Sequence, residues 1–187
     1  MNQNRTHEET DDLSGYNKIL LFDEQVKVYL PEEFTDMDSD LAAKKYPYKK
    51  RPSVIKVDEA KDICLTLDLY TRQLAADQVI NAASSFKKLI RQTYPNNKRI
   101  EINQFRTTQG IQGACFSFII QTGDSCRIIE YFILPIHGRL FFGTLNYPEA
   151  GSEILGGHCT DIKELIQEVK VSRAYTVNKR QKGENAG

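Results

Sequence analysis

Tryptophan is absent from this chain, methionine occurs twice, histidine three times and cysteine four times, so the side chains that most often carry metal, redox or nucleophilic chemistry are few. Cys64, Cys115, Cys126 and Cys159 include no C-x-x-C pair, which fits neither a zinc ribbon nor a dense disulfide scaffold. Reduced, buried thiols are the expectation. His7, His137 and His158 fall in a polar leader, a turn and a glycine-bearing loop with no ligand spacing, so no metal and no cofactor are expected. Charge of one sign is missing too: 25 Lys and Arg balance 25 Asp and Glu, leaving no global field to draw the chain onto nucleic acid or an anionic membrane. Electrostatic recognition has to be local. No segment supplies the roughly 18 apolar residues of a membrane span, and "MNQNRTHEETDD" lacks the apolar run of a secretory signal, so a cytoplasmic location is expected.

What the chain does have is a regular apolar pattern. At 187 residues with 40% hydrophobic content it is long enough for one core. A polar flexible leader is expected over 1–17, a single α+β domain over 18–173 and a flexible tail over 174–187. "NKILLFDEQVKVYLP" predicts a hairpin, Ile19 to Phe22 and Val26 to Leu30 around Asp23 and Glu24. "DLAAKKY" predicts a short helix stopped by Pro47, and "SVIKV" a strand. In "DICLTLDLY", Ile63, Leu65, Leu67 and Leu69 alternate with Cys64, Thr66, Asp68 and Tyr70, the mark of a half-buried antiparallel strand.

From Leu74 to Tyr94 the period lengthens, with Val79, Ala82, Ala83, Phe86, Leu89 and Ile90 on one helical stripe. Four strands then follow: "RIEINQF", "QGACFSFIIQ", "CRIIEYFILP" and "RLFFGTLNYP". Turns at Gly123 with Asp124 and at His137 with Gly138 favour an antiparallel meander. "TDIKELIQEVKV" predicts a closing helix, with Ile162, Leu165, Ile166 and Val169 on its apolar stripe and a capping-box pattern in Asp161 and Glu164. The order predicts a mostly antiparallel sheet of about six to eight strands with helices packed on one or both faces.

Motifs for chemistry are missing as well. No P-loop, dinucleotide fingerprint, H-E-x-x-H or G-x-S-x-G occurs, and no catalytic residue is assigned. "EILGGHC" is the nearest approach to a site, because His158 and Cys159 sit beside glycines ahead of a helix start and can form a pocket rim. The distinctive surface run is "KKYPYKKRPSV": Lys44, Lys45, Lys49, Lys50 and Arg51 supply charge, Tyr46 and Tyr48 offer rings to a partner, and Pro47 and Pro52 stiffen the loop. A solvated connector between the helix and the sheet explains the same residues.

The succession "KVYLPEEF", "YPYKKRPSVIKVDEAKDICLTLDL", a helix, a meander ending in "LFFGTLNYP" and a closing amphipathic helix resembles the PsbP/Mog-like fold, especially the DcrB-like bacterial families, over about residues 18–172. The resemblance implies an α/β/α sandwich, a central antiparallel sheet with helices on both faces. It also implies a binding or accessory role without a catalytic motif to carry over. The expected function is therefore a non-enzymatic intracellular protein binder, for example an immunity- or chaperone-like protein, whose partner is another protein. A small-molecule binder or enzyme with a pocket near 151–159 is the alternative. Nucleic-acid binding has only the local basic run in its favour and is not expected.

Overall fold

A computed structural model describes residues 13–95, 97, 101–150 and 160–170. The opening hairpin is β1 (Tyr16–Leu21) and β2 (Val26–Pro31), paired antiparallel from Tyr16↔Pro31 to Leu21↔Val26. Its turn carries three successive residues with positive φ, Phe22, Asp23 and Glu24. Left-handed backbone is costly for a bulky side chain. Here the Phe22 ring is held edge-on to Phe141 at 6.0 Å, and Gln25 donates from both its backbone N–H and its Nε2 to the Phe22 carbonyl.

After β3 (Thr35–Asp36) comes α1 (Ser39–Lys45), which starts where expected because the Asp38 carboxylate accepts from the N–H groups of Asp40 and Leu41. It ends at Tyr46, one residue before Pro47. β4 (Val54–Asp58) and β5 (Ile63–Gln73) follow, then a 3₁₀ turn (Ala76–Gln78) leading into α2 (Val79–Thr93). The helix thus starts five residues later than the periodicity from Leu74 suggests. Leu74 itself is buried, and its N–H donates to the Gly138 carbonyl.

β6 (Ile102–Arg106), β7 (Gln112–Thr122), β8 (Ser125–Ile136) and β9 (Arg139–Pro148) form the predicted meander. They join the earlier strands in a seven-stranded antiparallel sheet of order β3-β4-β5-β9-β8-β7-β6. The β8–β9 turn uses positive φ at both His137 and Gly138, the geometry that matches strand twist in a two-residue hairpin.

The closing helix is corrected by the structure. Residues 160–164 are helical, but the chain then extends into β10 (Gln167–Glu168), which pairs antiparallel with Lys27 and Val26 of β2. Specific backbone partners outweigh the helical periodicity: Thr108 N–H donates to the Glu164 carbonyl, Val169 N–H to the Gln25 carbonyl, and the Gln109 side chain brackets the Glu168 backbone. Asp161 lies inside the helical turn and accepts from the Tyr16 hydroxyl, so the capping-box reading with Glu164 is also corrected.

Coverage of the sheet differs from a plain α/β/α sandwich. One face is covered by the small sheet β1-β2-β10 together with Ile162 and Ile166, packed on Leu65, Leu67, Phe132, Leu134, Phe141 and Leu145. The other face carries both helices: α2 sets Val79 and Ala83 on Ala114, Ile133 and Leu140, and α1 sets Ala42 near Val57 and Cys64. The fold is mixed α+β, with more strand than helix.

Candidate functional site

The two helices pack on separate apolar clusters of this face. Along β9, Phe141, Gly143, Leu145 and Tyr147 are buried under the small sheet, whereas the alternate residues Phe142, Thr144, Asn146 and Pro148 are only half-buried. Between α1 and α2 a row of the sheet therefore stays open. It forms a cleft of about 350 Å³ floored by Thr66, Asp68, Tyr70, Ile129, Tyr131, Phe142, Thr144 and Asn146 and rimmed by Tyr46, Lys50, Arg51 and Pro52. Strand register builds this floor, since Thr66 lies opposite Thr144, Asp68 opposite Phe142, and Tyr131 and Ile129 opposite Thr144 and Asn146.

Inside the cleft the polar groups are largely tied to one another. The Thr66 and Thr144 hydroxyls lie 2.6 Å apart. Asp68 Oδ1 accepts from Ser53 N–H at 2.9 Å and from Ser53 Oγ at 2.6 Å, anchoring the end of the basic loop to the floor. Arg127 closes one end, donating from Nε to Asn146 Oδ1 at 2.6 Å and pairing with the Asp62 carboxylate. Burial pushes the Tyr131 and Tyr70 phenols up, and for Tyr70 the Asp68 charge adds to the rise. Both are neutral hydrogen-bonding aromatic surfaces near neutral pH.

Of the predicted surface run, Tyr46, Lys50 and Arg51 line this rim, whereas Lys44, Lys45, Tyr48 and Lys49 do not. Tyr46 turns inward and is half-buried, its hydroxyl 3.3 Å from Cys64 Sγ. Burial first, and that thiol second, push its phenol up. Arg51 Nε donates to the Tyr46 carbonyl at 3.1 Å, folding the loop back, and Lys50 Nζ stands 5.0 Å from the centroid of the Tyr70 ring. Lys44, Lys45, Tyr48, Lys49, Lys50 and Arg51 are exposed, Tyr48 at 74%. None of these five cations has a carboxylate partner among the described residues. His158 and Cys159 lie outside the described residues.

The sequence run brings Tyr46, Lys50 and Arg51 to the cleft, whereas the floor residues were not singled out in the sequence. The polar members of "LTLDLY" and "FGTLNYP" read as the solvent side of a half-buried strand. The usable signal is that Thr66, Asp68, Thr144 and Asn146 all occupy the same face as Tyr70 and Phe142. A second hollow, of about 430 Å³, lies between the 3₁₀ turn and α2 beside Leu74, Phe86, Leu89 and Leu140, with Arg72 as its one charged lining residue. It is larger but brings no set of charged groups together. Among the described residues no cluster of three or more His, Cys, Asp or Glu is arranged to hold a metal ion, and no helix is long and apolar enough to cross a membrane.

No family model and no curated protein matches the sequence. Solved structures do. The cyanobacterial PsbP protein CyanoP of Synechocystis sp. PCC 6803 superimposes with a TM-score of 0.59 at 12% identity, over 83% of this chain and 93% of that one. The chain has the PsbP/Mog1-like fold. The Ran-binding protein Mog1p of Saccharomyces cerevisiae gives 0.53 at 10% identity over 83% of this chain and 96% of that one. A Bacteroides thetaiotaomicron protein gives 0.55 at 8% identity, over 88% of this chain but 57% of its own. At such identities the likeness establishes the fold, and the residues of the site speak for themselves.

Proposed function

We propose that this protein is a non-enzymatic binding module that recognises another protein through the Lys44–Arg51 segment and the cleft that its Tyr46, Lys50 and Arg51 border. The observation that carries this reading is that Lys50 and Arg51, without carboxylate partners among the described residues, border a cleft with an aromatic floor on a loop pinned by Asp68 and the Tyr46 carbonyl, while Lys44, Lys45 and Lys49 are exposed on the same run. A pinned loop loses little conformational freedom on association, which favours affinity. The cleft lining has no nucleophile with a general base: its aromatic hydroxyls keep their protons, and Cys64 packs beneath Tyr46. The similarity to a Ran-binding protein supports protein recognition as a use of this fold.

The test is an affinity pull-down from lysate of the native source with wild type and with Lys49→Glu/Arg51→Glu, read by mass spectrometry. The expected result is a co-purifying protein that is lost in the double variant. A partner retained equally by both would remove this surface from the account.

A further inference from the structure

The cleft adds to the basic loop a selectivity that loop charge alone lacks. We infer that it receives an aromatic side chain flanked by carboxylates, presented by an extended acidic segment of the protein partner. This inference rests on the protein-binding reading above. The size decides the kind of occupant: about 350 Å³ lies at the low end of ligand pockets, room for one or two side chains rather than a helix or strand.

The floor decides the ring. Tyr131 and Phe142 have centroids 5.5 Å apart, and Phe142 continues to Tyr70 at 6.4 Å, so an incoming ring extends an existing aromatic array at its half-open side.

The rim decides the charge. Among the described residues Arg51 uses only Nε, leaving its terminal nitrogens for bidentate pairing with a carboxylate, and Lys50 holds its ammonium over the Tyr70 ring. Asp68 is the one carboxylate in the lining, and Ser53 already occupies its Oδ1 from two donors.

The absence of tryptophan from the chain provides the assay. A peptide with one tryptophan between pairs of glutamates is excited selectively and titrated with the full-length protein, beside its lysine counterpart. The expected result is a saturable blue shift for the acidic peptide alone. Added salt weakens it, and either Arg51→Glu or the cleft-filling Thr144→Phe weakens it at least about tenfold, or ~1.4 kcal/mol. Arg51 is on the exposed rim, so its variant keeps the test valid if Thr144→Phe fails to fold, which an unfolding curve checks.

Equal binding of the lysine peptide, unchanged binding by folded Thr144→Phe, displacement by oligothymidylate, or no saturation by millimolar protein would overturn the inference. In the pull-down, a partner lost with Lys49→Glu/Arg51→Glu but kept by Thr144→Phe leaves the binding module standing and removes only the cleft occupant. A partner kept by both variants removes both.

Discussion

Gly143 shows how tightly single residues are constrained on the covered face. A Cβ there would lie 2.0–2.5 Å from ring atoms of Phe132, which is fully buried in the main core, so no side chain larger than hydrogen fits without displacing that ring. Gly143→Ala should destabilise by about 2–3 kcal/mol, and Phe132→Leu in the same chain should recover part of the loss, the non-additivity expected of touching residues. Denaturant unfolding of the two single variants and the double variant measures this, and simple additivity would contradict it. A second residue-scale case is the Lys163–Glu130 pair, buried against Cys115 and the Phe105 ring. Lys163→Met leaves Glu130 without its cation and should cost about 3–5 kcal/mol, whereas Lys163→Met with Glu130→Gln should lie much closer to wild type. Equal losses in the single and double variants would show that packing, not charge, is what the lysine supplies. Neither feature is legible in the sequence. Glycine in "LFFGTLNYP" and lysine in "TDIKELI" look like ordinary strand and surface positions until the ring and the carboxylate across the sheet are known.

At the scale of elements, local chemistry was readable wherever a short-range rule dominates. Asp38 starts α1, Pro47 stops it, and β9 alternates because Phe141, Gly143, Leu145 and Tyr147 lie on its covered face. The C-terminal segment failed because its partners are distant in sequence. Glu168 accepts from the His137 N–H at 2.8 Å and lies 3.1 Å from His137 Nδ1, while Gln25 offers its carbonyl to Val169 N–H. These ties pull residues 167 and 168 into strand. Glu168→Ala should therefore loosen β10 selectively, by about 1–2 kcal/mol, seen as faster hydrogen exchange at Val169 while amides of β7 to β9 keep their protection. Uniform acceleration across the sheet would mean that β10 unfolds only with the whole domain.

For the molecule as a whole, buried weak acids set the response to alkali. Burial is the leading cause of the raised phenols of Tyr46, Tyr70 and Tyr131 and of the raised Cys115 thiol. Each holds its proton longer when folded, so at high pH the unfolded chain binds fewer protons than the native one. Their contribution is whole below the ordinary thiol and phenol range, about 8.5–10, and is lost as pH rises through it toward the folded values. Urea midpoints should be level near neutrality and fall above about pH 9, and a midpoint that rises there would contradict the assignment. The candidate site was only half legible for a different reason. Charge clustering in "KKYPYKKR" is a local property, whereas the open row between α1 and α2 depends on where two helices land on one sheet face. The most direct test places a photocrosslinking residue at Tyr48, exposed on the basic run between the rim residues Tyr46 and Lys50, and at Leu20, exposed on the opposite hairpin, in source lysate with and without Arg51→Glu. A protein adduct from position 48 alone, lost with Arg51→Glu, is the expected result; equal adducts from both positions, or one from 48 indifferent to Arg51, would contradict recognition through this surface.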